Sequence, residues 1–282
     1  MSEPDSPPTS GASAPEHRSA SSEPAAPPRL AGVPRAARRA IVVGASSGMG
    51  AAIVRQLASE GFAVAAIARR ADKLDELRAE CEVAGLPGRV IVRAHDVADT
   101  AAARPLFEEH VRELGGLDLL VFAAGIMPSI GKDEYDTEKD LAILDVNVGG
   151  CVAWCNPAAA LFHAQRSGTI VGISSIAGDR GRKGNPAYCT SKAAMNTYLE
   201  ALRNRLSEVG VHVCTIKPGY VDTAMTQGMD GLFWLISPEE AARQILAAAR
   251  NRVNVRYVPL RWNAVGLVLR LVPSFLFRRA SI

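Results

Sequence analysis

From Ala40 onward the chain alternates short, continuously apolar runs with stretches of helical periodicity, and this alternation constrains its fold more than any other feature. The apolar runs at 40–44, 62–68, 89–93, 118–124, 168–173, 211–217 and 254–258 read as strands. The intervening segments, about 48–60, 71–84, 101–114, 138–165, 186–209 and 238–250, read as helices. Runs such as LDLLVFAAG lack the polar alternation of a strand with one wet face, so the sheet must be covered on both sides. The expected fold is a Rossmann-type α/β domain: a doubly wound parallel sheet of about seven strands with helices on both faces. That single domain should span residues 37–259.

Residues 1–36 are dominated by Pro, Ala, Ser and Gly and contain no window able to build a core, so this arm is expected to be disordered. Its acids Glu3, Asp5, Glu16 and Glu23, and its lack of an apolar run, fit neither a transit peptide nor a secretory signal, which makes the cytoplasm the expected compartment. Five cysteines in apolar or helical surroundings read as reduced thiols. Cys151 and Cys155 share a helix face, yet no second pair of Cys or His completes a zinc pattern, so they read as core and no metal is expected. Residues 260–282 form a basic, partly apolar segment continuous with the domain. No acid follows Glu240, while eight arginines do. No apolar stretch approaches the roughly 20 residues that span a bilayer, so the segment would lie on an anionic surface instead.

AIVVGASSGMG runs from a strand into a glycine-rich turn and then a helix. Gly44, Gly48 and Gly50 allow a tight turn and the close approach of a pyrophosphate, whose charge the helix N-terminus stabilises. The same glycines would equally serve a bare strand-to-helix turn. Ala68 stands where an acid would hold an adenosine ribose, and Arg69 and Arg70 follow it. Guanidinium groups grip a 2'-phosphate that a carboxylate would repel, so NADP(H) is favoured over NAD(H). The alternative is a solvated basic turn. Asp96, after the third strand, would meet the adenine rim or cap the next turn.

Tyr188 and Lys192 are one helical turn apart. A free phenol titrates near 10 and is a poor acid or base at neutrality, so the ammonium beside it is expected to lower its pKa. Ser175, thirteen residues earlier at a strand end, could hold a substrate carbonyl beside the phenol. Ser174 reads as a backbone cap, and Tyr198 as core.

Taken together, these motifs resemble the short-chain dehydrogenase/reductase family across residues 38–258. The resemblance rests on the glycine loop, Asp96, AAG at 123–125, Asn147 in LDVNVGG, Ser175, the Tyr188 and Lys192 pair, and KPGYVDT at 217–223. It implies a tetrad in which Tyr188 is the general acid or base, Ser175 orients the substrate, Lys192 binds the nicotinamide ribose and tunes Tyr188, and Asn147 holds a relay water. It also implies cofactor contacts from Ser46, Ser47 and Met49 in the glycine loop, from Val97 beside Asp96, and from Ala124 and Gly125. Pro218, Gly219 and Thr223 would border the nicotinamide, with Val221 also at the cofactor, and the two long helices would pack in a homodimer or homotetramer. Phe122-Ala123 replaces the usual Asn-Asn, and Met49 the usual Ile.

The implied reaction interconverts a ketone and a secondary alcohol by hydride transfer. Arg180, Arg182 and Lys183 precede Tyr188, and the tail reads as an amphipathic helix broken near Pro273 with Trp262, Val265, Leu269, Val272 and Leu276 along it. Both features resemble the branch containing the mycobacterial decaprenylphosphoryl-2-keto-ribose reductase, which implies a lipid-linked keto-sugar and peripheral membrane contact at the inner face. The alternatives are a solvated loop and a tail packed on its own domain or on a partner subunit. A non-catalytic dinucleotide sensor or scaffold at a membrane is the rival function. Nucleic acid is not an expected partner, because the basic residues form no recognisable module.

Overall fold

A computed structural model describes residues 38–131, 133–229 and 231–279. The expected disordered arm, 1–36, lies outside the described residues. Seven strands, β1 (Arg39–Val43), β2 (Ala63–Ala68), β3 (Val90–Ala94), β4 (Leu119–Phe122), β5 (Thr169–Ile173), β6 (His212–Pro218) and β7 (Val255–Val258), form one sheet in the order β3-β2-β1-β4-β5-β6-β7. Every pairing is parallel.

Because side chains alternate across a strand, each strand serves two cores. Ala40, Val42, Val64, Ala66, Val121, Val171 and Ile216 face α1 (Gly48–Ser59), α2 (Ala71–Val83) and α7 (Pro238–Arg250). Ile41, Val43, Ala65, Ile67, Leu120, Phe122 and Ile170 face α3 (Thr100–Leu114), α5 (Gly150–Gln165) and α6 (Pro186–Leu206). Phe122, in the place of the family's polar residue, is fully buried in this second core.

The segment expected as one helix over 138–165 is α4 (Thr137–Leu144), a π-helical turn over Asp145–Gly149, and α5. The widened turn is where Asn147 sits. The tail forms α8 (Trp262–Leu271) and α9 (Ser274–Phe277), separated at Pro273 as expected. Trp262 is buried and Val265 and Leu269 are half-buried beneath α8, whereas Leu276 points outward.

Candidate active site

The strand order reverses at β1, with β2 on one side and β4 on the other, so a crevice opens beyond the carboxyl ends of β1 and β4. Gly44 follows β1 with φ +91°, and a Cβ there would lie 2.4 Å from the backbone nitrogen of Ala124. A Cβ on Gly50 would lie 2.1 Å from the Gly44 carbonyl oxygen. Gly48, at φ +53°, has room only for hydrogen, because a Cβ would meet the Thr223 methyl at 2.9 Å. Ser47 stands at the N-cap of α1 without a side-chain cap, and no acid occupies the first turn. The cradle therefore offers free backbone donors at a helix N-terminus and excludes side-chain bulk, which fits a dinucleotide pyrophosphate. Met49 packs on the adjoining core and Ser46 lines the loop.

Arg70 reaches back from β2 and donates to the Ser46 hydroxyl at 3.0 Å and the Ser47 hydroxyl at 2.8 Å. Arg69 lies 3.8 Å from the Asp96 carboxylate, and both remain largely exposed. Asp96 also accepts from the Ala98 backbone at 3.0 Å, so the capping alternative describes what its side chain does. Val97 is buried and packs against Gly150, fixing α5 to the loop after β3.

At the other end of the crevice, Asn147 is fully buried and its amide is fully engaged. Its Oδ1 accepts from the Ile126 backbone at 2.8 Å, and its Nδ2 donates to the Ile126 carbonyl at 3.1 Å and to Ser191 Oγ at 2.9 Å. Ser191 in turn donates to the Tyr188 carbonyl at 2.8 Å. Lys192 Nζ donates to the Ile173 carbonyl at 3.0 Å. A Cβ on Gly125 would lie 3.2 Å from Asn147 Oδ1 and 3.3 Å from Lys192 Nζ, a tight fit where these polar groups converge. Tyr188 is buried, with Lys192 Nζ 5.7 Å from its ring centroid. Asn185 caps α6 by accepting from the Tyr188 backbone at 3.0 Å, and Pro186 begins the helix.

Ser175 Oγ accepts from Ala177 N at 3.1 Å and thereby opens a 3-10 turn over Ile176–Asp179. Ser174, expected as a backbone cap, donates to the Lys192 carbonyl at 3.1 Å and ties β5 to α6. Tyr198 packs against the core and donates to Asn156 at 2.9 Å.

The electrostatics correct one expectation. Burial pushes the Tyr188 phenol up rather than Lys192 drawing it down, with the Ser175 hydroxyl and the Arg182 charge acting against the rise. The ammonium is turned toward the Ile173 carbonyl, and burial lowers its own pKa to about 8. Desolvation disfavours the charged form of each group, which raises the phenol and lowers the amine.

Sequence reasoning missed a buried cluster beside this site. Lys217 pairs with Asp179, and their side chains are 10% and 3% exposed; Tyr257 donates to the same carboxylate at 2.6 Å. A lysine inside an otherwise apolar strand was the available signal, since such a charge needs a buried partner. Arg180, expected in a solvated or substrate-receiving loop, donates to the Leu269 carbonyl at 2.8 Å and to the Val272 carbonyl, and lies over the Phe277 ring at 4.3 Å. Pro218 ends β6, Val221 is buried, and Gly219 is pressed against Trp262, where a Cβ would lie 2.1 Å from the indole. A separate cavity of about 560 Å³ between α1, α2 and α7 is lined by none of the residues above.

Residues 38–230 match the short chain dehydrogenase family. An uncharacterized oxidoreductase of Myxococcus xanthus is 38% identical over 193 residues, covering 67% of this chain and 74% of that protein. Among solved structures, a short-chain type dehydrogenase/reductase from Mycobacterium ulcerans is 24% identical, with a TM-score of 0.73 over 78% of this chain and 88% of that one. An actinorhodin polyketide ketoreductase variant with NADPH is also 24% identical, with a TM-score of 0.71 over 79% of this chain and 95% of its own. With the parallel sheet, the glycine cradle and the Tyr188 and Lys192 pair in place, the chain belongs to the short-chain dehydrogenase/reductase family.

Proposed function

We propose that the protein interconverts a ketone and a secondary alcohol with NADP(H), using Tyr188 as general acid or base. The observation that carries this reading is the convergence of Gly125, Asn147 and Lys192 beside the buried Tyr188, at the end of the crevice that begins at the glycine cradle. Gly44, Gly48 and Gly50, with Ser46, Ser47 and Met49, would hold the pyrophosphate. Arg69 and Arg70 would hold the 2'-phosphate, with Asp96 and Val97 at the adenine. Ala124, Gly125, Pro218, Gly219, Val221 and Thr223 would border the nicotinamide. When bound, the nicotinamide supplies or accepts the hydride.

The chain supplies the proton. In reduction the Tyr188 phenol, kept protonated by burial, gives its proton to the substrate oxygen as that oxygen gains negative charge. In oxidation the proton travels the other way. Ser175 orients the substrate oxygen by hydrogen bonding, and Lys192, brought down to about 8 by burial, exchanges protons with the phenol's surroundings. Asn147 fixes the floor of the site by bracing Ile126 and Ser191.

The substrate we infer is lipophilic, with a lipid-linked keto-sugar as the chemistry of choice. It would be met at the inner face of the cytoplasmic membrane by a homodimer or homotetramer in which the domain at 37–259 is catalytic and residues 260–282 make the membrane contact. Support comes from the apolar, arginine-rich surface of α8 and α9 next to the Ser175 turn. The test is consumption of NADPH and of NADH across a panel of ketones that includes lipid-linked keto-sugars. NADPH oxidation, with tighter binding of NADPH than of NADH, is expected. No turnover with any ketone, or tighter NADH binding, would overturn the reading.

A further inference from the structure

α8 is apolar on two faces. Trp262, Val265 and Leu269 turn inward onto Ile176, Tyr220 and Tyr257. Leu267, Val268 and Leu271 turn outward, 52%, 59% and 71% exposed, forming a stripe about 100° wide opposite the buried one. Past Pro273, Phe275 and Leu276 extend the apolar surface at 57% and 48% exposure. An apolar helix face is ordinarily covered, and among the described residues nothing covers this one.

The surface continues beyond the helix. Phe233 stacks on Trp262 with ring centroids 4.9 Å apart, Trp234 meets Trp262 edge-on at 5.7 Å, and both Phe233 and Trp234 are more than one-third exposed. Trp234 holds φ +59°, an uncommon conformation for a bulky residue, and the Arg261 guanidinium lies 5.1 Å from its ring centroid. Arg261, Arg270, Arg278 and Arg279 border the patch and, among the described residues, none pairs with a carboxylate.

We propose that the outer face of α8 and α9, together with Phe233 and Trp234, docks on an anionic lipid bilayer. The charge pattern selects this occupant. A two-fold contact between copies would set the same arginines against one another, whereas anionic headgroups neutralise them while the apolar side chains enter the acyl boundary. Tryptophan beside arginine at the rim suits the headgroup layer. At 10 residues α8 is too short to span a membrane, so it lies in the interface. Arg180 fastens the face to the turn that carries Ser175, so a docked molecule holds its active site next to the membrane. The contact deepens the lipophilic-substrate reading by naming its partner, and it rests on that reading only for its purpose.

The test needs no turnover. The full chain is sedimented with vesicles of phosphatidylglycerol and, separately, of phosphatidylcholine. Docking predicts binding about tenfold or more tighter to the anionic vesicles, weakening as salt is raised. The exposed double substitution Leu271→Glu and Phe275→Glu should lower anionic-vesicle binding by about tenfold or more while leaving the melting temperature in place. Charge reversal, Arg278→Glu with Arg279→Glu, provides a second variant that leaves the apolar face intact and should also weaken it. Equal or absent binding to the two vesicles, or unchanged binding of both variants, overturns the proposal. So does a dimer in solution that dissociates on Leu271→Glu with Phe275→Glu, which would assign the face to a second copy. If no ketone is turned over but anionic vesicles are bound selectively, the catalytic reading fails and the docking stands.

Discussion

Tyr188 and Lys192 occupy one helical turn of α6 and answer to opposite consequences of burial. The phenol is held protonated, while the ammonium is brought down to about 8. A buried amine with that pKa is charged at neutrality and loses its proton as pH rises through about 8. The reductive kcat/KM, which needs a full proton store, is therefore expected to fall as pH rises through that value, and a pH profile of NADPH-driven reduction checks it. Gly48→Ala offers a second test, because its new methyl would press on Thr223 at 2.9 Å in a left-handed conformation. NADPH affinity should drop by about tenfold or more, the equivalent of one or two kcal/mol of strain, as read by titration. The pair of residues and the glycines were legible as spacing. Which way the phenol's pKa moves was not, since that depends on how completely the folded chain buries Tyr188.

The turn over Ile176–Asp179 is held from two sides. Against α6, Gly178 lies so close to the Lys192 backbone that a Cβ would approach its carbonyl carbon to 2.6 Å, and Asn196 donates to the Gly178 carbonyl at 3.2 Å. Against the tail, Arg180 satisfies the last carbonyls of α8, which a helix end leaves without partners. Asp179 and Arg180 are thus positioning residues for Ser175. Arg180→Ala should lower kcat with KM for NADPH unchanged, and Arg180→Lys should restore only part of it, since an ammonium lacks the fork that reaches two carbonyls and Ser274. Asp179→Ala leaves Lys217 buried without its partner, a loss of about 3–5 kcal/mol, read as a fall in Tm on the order of 10 °C. The inner strands were legible because they are apolar on both faces, and the edge strands β3 and β7, which carry Arg93 and Arg256, by their spacing between helical stretches. The long helix expected over 138–165 hid a π-helical turn, for its apolar periodicity says nothing of an Asn147 amide that bonds across to Ile126.

At the scale of the molecule, the two cores on either face of the sheet bury His95, His110 and His212 among the described residues. Burial lowers each below its ordinary value, and each has a ring nitrogen without a partner; His110 Nδ1 is 3.7 Å from Glu113, beyond a hydrogen bond. The unfolded chain then takes up protons below about pH 6.5 that the folded chain does not. Stability is expected to fall as pH drops from about 6.5, before most carboxylates titrate, and melting temperatures measured across that range test it. The doubly wound sheet could be read from apolar runs alone, whereas the docking of α8 on Gly219 through Trp262 could not, because it joins segments far apart in sequence that share no periodicity. The crevice beyond β1 and β4 and its proton donor meet at one atom, the Tyr188 hydroxyl. The decisive measurement is NADPH-dependent ketone reduction by the full chain and by Tyr188→Phe. Tyr188→Phe should lose about 100-fold to 10,000-fold in kcat with NADPH affinity unchanged; a Tyr188→Phe protein that reduces the ketone at the parent rate would rule out Tyr188 as the proton donor.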